Sequence, residues 1–120
     1  MDKIEKIEAF KTRTKQLAMR VIRLYQALPR TGEAKVLGNQ LLRSATSVAA
    51  NYWAACRGRS QAETFSKLCI VVEEADETLL WLELMQEAAI ITPQKLQPFL
   101  EEYTEVVKIA NATRHALKQP

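Results

Sequence analysis

The sequence predicts an all-α fold: an antiparallel, up-down-up-down four-helix bundle forming one domain over residues 1–120. Three observations carry this expectation. Apolar residues recur at three- and four-residue steps through four long segments, which is the spacing of one helix face. Only three Gly and four Pro occur in 120 residues, most at the junctions between those segments, and no strand candidate competes. The three connections are short, which favours neighbouring helices that run in opposite directions. An apolar fraction of 48% with 26% charged residues suits a packed globular chain.

The first helix is expected from about Phe10, or from Ile4, to Leu28. Phe10, Leu17, Val21, Leu24, Tyr25 and Leu28 form its apolar stripe, and Pro29 stops it. The second runs from about Glu33 to Arg57, with Gly58 placed to act as a left-handed C-terminal cap. The third opens at Ser60-Gln61-Ala62-Glu63, where Ser60 and Glu63 have capping-box spacing, and ends near Ala89. Its inner stripe is read as Phe65, Leu68, Cys69, Val72, Ala75, Leu79, Leu82 and Gln86. Thr92-Pro93 reads as an N-cap followed by proline at the first helical position, and the fourth helix runs from there to about Leu117. Its core face is Phe99, Tyr103, Val106, Ala110 and Leu117. Pro98 removes one early hydrogen bond and predicts a kink or a delayed start.

The second helix carries 13 consecutive residues without a charge, Ser44 to Cys56. A helix with one face in water normally carries charge there, so this one is expected to be covered on most sides. A neighbouring subunit supplies that cover economically. Ser44, Ala45, Ser47, Val48, Ala49, Asn51, Tyr52 and Trp53 are therefore the expected homo-oligomer interface.

Charge is segregated along the chain. Residues 1–30 carry eight Lys/Arg against three acids, residues 31–59 four against one, and residues 60–89 one against seven. Arg13, Arg20 and Arg23, extended by Arg30, fall at steps of seven, three and seven opposite the apolar stripe. If helical throughout, this ridge spans about 25 Å, enough to follow several phosphates. Glu73, Glu74, Asp76 and Glu77 form an acidic cluster on the third helix. Two readings stay open: a phosphate-binding ridge, or helix-to-helix ion pairs and solvated faces.

No enzyme is expected. The sequence holds no Gly-rich phosphate loop, no nucleophile elbow and no carboxylate–histidine spacing for a di-iron bundle. His115 reads as a surface residue, and Cys56 and Cys69 read as apolar fillers too far apart to bridge. No catalytic residue, cofactor or metal ligand is assigned. The charge-free run is too short to span a bilayer, and the start lacks the apolar stretch of a signal peptide, so a cytoplasmic chain with no membrane role is expected.

The run Gln40-Leu41-Leu42-Arg43-Ser44-Ala45-Thr46-Ser47-Val48-Ala49-Ala50-Asn51-Tyr52, followed by Ala55-Cys56-Arg57, resembles the bacterial four helix bundle protein family, also called the 23S rRNA intervening-sequence proteins. The stretch from Phe65 to Leu84 is similar as well, so the likeness covers roughly Thr31 to Ala88. The resemblance implies an antiparallel bundle that assembles as a homopentamer. It extends to the accessory variability proteins of diversity-generating retroelements, basic pentamers that bind nucleic acid and a reverse transcriptase. Trp53 and Ala54 stand where family members often carry a charged pair. The expected function is a non-catalytic, basic homo-oligomeric module that binds RNA or DNA through phosphates and assists a nucleic-acid-processing protein. The alternative is an oligomeric scaffold or protein adaptor.

Overall fold

The computed structural model describes residues 1–118 as four helices: α1 Lys3–Gln26, α2 Gly32–Cys56, α3 Gln61–Glu87 and α4 Pro93–Lys118. They build a four-helix bundle measuring 48 × 25 × 19 Å. Three of the four starts have a side-chain cap, and α4 opens on Pro93. Asp2 accepts from the Glu5 amide at 2.8 Å while the Glu5 carboxylate accepts from the Asp2 amide at 3.5 Å, so a capping box starts α1 well before Phe10. Thr31 and Ser60 accept from the amides of Ala34 and Glu63, capping α2 and α3.

The ends hold two departures from the sequence reading. Gly58 has no left-handed backbone; α2 closes at Arg57, with φ −109°. Its glycine is explained by crowding, because a Cβ there would collide with Thr64 Oγ1 and lie 3.1 Å from the Thr64 amide nitrogen. The left-handed residue is Ala89, φ 56°, past the end of α3. There the Ile90 amide donates to the Met85 carbonyl and the Ala89 amide to the Gln86 carbonyl, both at 3.0 Å, which is the Schellman pattern. Pro98 does not delay α4, which begins at Pro93. The bond it removes would use the carbonyl of Gln94, an exposed residue whose carbonyl water can serve.

α1 packs on α2, α2 on α3, and α3 on α4. Phe10 near the start of α1 meets Tyr52 near the end of α2, ring centroids 4.7 Å apart and edge to face. Tyr25 near the end of α1 donates to Asn39 near the start of α2 at 2.8 Å. One core threads all four helices, with Leu17, Val21, Leu41, Val48, Leu68, Val71, Leu82, Met85, Leu96 and Val106 at or near zero exposure. Each such side chain contributes roughly 1.5–3 kcal/mol through the water it sheds. On α1 the buried stripe is Phe10, Thr14, Leu17, Ala18 and Val21, with Leu24 and Tyr25 half-buried, as is Leu28 just past the helix end.

The inner stripe of α3 is rotated from the one expected. Val71, Thr78 and Met85 are buried, while Phe65, Cys69, Val72, Leu79 and Gln86 are half-buried. α3 lies between α2 and α4, so its flanks are covered as well as its centre, and apolar residues on three sides blur the direction of the core.

Candidate functional site

The expected oligomer face divides in two. Ser44, Ala45, Val48 and Tyr52 are buried inside the single chain. The Thr78 hydroxyl donates to Ser44 Oγ at 2.8 Å, and Ser44 donates to the Leu41 carbonyl at 3.2 Å, so a buried polar pair ties α2 to α3. Half-buried Asn51 donates to the carbonyl and hydroxyl of Ser47. The missing charge on α2 follows largely from packing against α1 on one flank and α3 on the other. A second subunit is not needed to cover these four residues. Ala49 and Trp53 remain accessible.

The arginine ridge divides too. Arg13 does not point away from the bundle; it reaches across to α4. Its Nε and Nη2 meet the two Glu102 oxygens at 3.2 and 3.1 Å, and its Nη1 meets Glu105 at 3.1 Å. Position 13 lies on the α4 flank of α1, within reach of these acids. The hydrogen bond from Arg13 holds the Glu105 carboxyl below the usual carboxylate range, and the same contact raises the guanidinium further. The Arg20 guanidinium lies 4.8 Å from the centroid of the Phe99 ring, also on α4. Arg23 and Arg30 are exposed and have no acidic partner among the described residues. Arg23 sits in the last turn of α1, where the helix dipole favours a cation. Arg30 shares the α1–α2 turn with Thr31 and Gly32, and with Lys35 they line an open depression of about 620 Å³.

A basic groove on the α1–α2 surface was not assigned from the sequence. Lys11, Lys15, Thr46, Ala49, Ala50 and Trp53 line about 380 Å³ there. Lys11 Nζ stands 3.9 Å from the Trp53 ring centroid and the Arg57 guanidinium 5.2 Å from it. Lys11 and Lys15, and Trp53 and Arg57, are each four residues apart on their own helix, so each half had a sequence signal. Only packing joins the halves.

The acids of α3 separate by direction. Glu74 and Glu77 take Arg43 of α2 at 2.8 and 2.7 Å. Glu73, Asp76, Glu83 and Glu87 are exposed, and between them Leu80 and Leu84 are 46% and 36% exposed.

Partial burial of the sulfur is the main cause pushing the Cys56 thiol up, although the residue as a whole is exposed. His115 is exposed on α4. Among the described residues no three His, Cys, Asp or Glu side chains gather to hold a metal, and no helix is long and apolar enough to cross a membrane.

The family model described as 23S rRNA-intervening sequence protein matches residues 6–112, which reach into all four helices. The chain belongs to this family. A solved structure similar to this intervening-sequence protein is a protein with unknown function from the S23 ribosomal protein family of Bacteroides thetaiotaomicron. It is 32% identical, with a TM-score of 0.85, and the likeness covers 92% of this chain and 98% of that one. No curated protein matches.

Proposed function

We propose that this intervening-sequence protein is a non-catalytic, cytoplasmic homo-oligomer, a pentamer of antiparallel bundles, that binds nucleic acid through phosphates. The observation that carries the reading is charge separation. Residues 1–59 hold twelve Lys/Arg against four acids, and Arg23, Arg30 and Lys35 stay exposed beside the α1–α2 turn. Arg13 and Arg20 serve the α1–α4 seam and leave the phosphate-binding set. Repetition around an oligomer raises the field of a +3 subunit, and a partner enzyme acting on nucleic acid gains a local concentration of its substrate. Arginine suits this role because its planar fork engages two phosphate oxygens together.

The test is a salt titration of binding to generic RNA and duplex DNA, followed by fluorescence anisotropy. Wild-type affinity for duplex should fall steeply between about 50 and 200 mM salt, with a log–log slope near 0.9 per neutralised phosphate. Arg23→Gln/Arg30→Gln should weaken binding and flatten the slope with only a small fall in melting temperature, since Arg23 loses its contact with the α1 dipole alone. A scaffold without a nucleic-acid ligand is the second reading, favoured by the commitment of Arg13 and Arg20 within the chain. No wild-type binding even at low salt decides for the scaffold.

A further inference from the structure

We infer that the basic α1–α2 groove receives the outer face of α3 from a second copy of this chain, head to tail. The inference rests on the homo-oligomer proposed above and names the two surfaces that make it. The groove has an apolar centre, Ala49, Ala50 and the 39%-exposed Trp53, with Lys11, Lys15 and Arg57 around it. The α3 face has the reverse rim: Leu80 and Leu84 at its centre, Asp76, Glu83 and Glu87 around them. An apolar centre inside a charged rim is the usual build of an interface, and here the two rims have opposite sign.

The dimensions agree. Thr46 to Arg57 and Asp76 to Glu87 each advance eleven residues, about 16 Å along a helix. Within one chain the two faces belong to different surfaces and use different residues. Lys15, Arg57, Asp76 and Glu83 form no salt bridge among the described residues. Two unlike patches that fit each other give a heterologous contact, which builds a ring where the rotation between copies closes, as the proposed pentamer requires, and an open filament where it does not. Nucleic acid also suits a basic groove, but Leu80 and Leu84 would then stay bare, and both faces of the contact are explained together by a second copy.

Charge reversal tests this directly, with mass from light scattering and folding from circular dichroism melts. Lys15→Glu/Arg57→Glu and Asp76→Lys/Glu83→Lys should each melt near the wild-type temperature and fall from the oligomer mass toward 13.6 kDa. Mixing the two double variants should bring them together, because the acidic groove of one fits the basic α3 face of the other and the reverse. Strict alternation then gives even-numbered or open assemblies above 13.6 kDa rather than the wild-type five-membered ring. The chain carrying all four substitutions should regain the wild-type mass. An assembled Asp76→Lys/Glu83→Lys variant, or a fourfold variant that stays dissociated, overturns the pairing. A Lys15→Glu/Arg57→Glu variant that keeps its mass but loses nucleic-acid binding assigns the groove to that ligand instead. Wild type at 13.6 kDa would defeat the homo-oligomer reading itself, a result distinct from failure of the named faces.

Discussion

Arg13 shows how one side chain changes meaning between sequence and structure. Its spacing from Arg20 and Arg23 was legible, but Glu102 and Glu105 lie some 90 residues away, and nothing local says that α4 returns beside it. The ion pair has a pH signature. Glu105 is held below its ordinary range by Arg13, so its contribution to stability is present above the unfolded value and fades as the pH falls through the folded one. Melting temperature should therefore drop below about pH 4, where carboxylates protonate, and Arg13→Gln should weaken that acid-side dependence. Equal acid slopes for wild type and variant would show that the contact is absent in solution. Ser44, expected at a subunit interface, is buried within the chain for a similar long-range reason. The absence of charge on its helix suggested cover by a neighbouring subunit, whereas the Ser44 hydroxyl finds Thr78 on the adjacent helix of the same chain.

At the scale of elements, the number and order of the helices were readable because boundary signals are local: Pro29 after α1, Ser60 and Glu63 opening α3, and Pro93 opening α4. Gly58 and Ala89 were not, since their roles depend on backbone angles and on Thr64 across a turn. Two substitutions of opposite sign follow. Gly58→Ala should destabilise by about 1–3 kcal/mol, because the new methyl group overlaps Thr64 Oγ1, whose hydrogen bond to the Ala55 carbonyl must then shift, and also sits tightly against the Thr64 amide nitrogen 3.1 Å away. Ala89→Gly should stabilise by up to about 1 kcal/mol, since glycine carries no penalty in the left-handed region. Thermal or urea unfolding of each single variant checks both signs. The rotated stripe of α3 marks where periodicity loses resolution. Between two neighbours a helix is apolar on three sides, and no single direction stands out.

For the whole molecule, the basic first half and the acidic α3 were visible as composition. Their arrangement was not, because the groove around Trp53 needs α1 and α2 side by side, and the free strip on α3 appears only after Glu74 and Glu77 are taken by Arg43. The proposed pairing of unlike faces needs a second copy, and the proposed phosphate contacts of Arg23 and Arg30 gain strength through repetition. Assembly is therefore the claim on which the account depends. Its most direct test is the mass of the wild-type protein at micromolar concentration, by light scattering or sedimentation. One species at five times 13.6 kDa is expected; a single species at 13.6 kDa would contradict assembly.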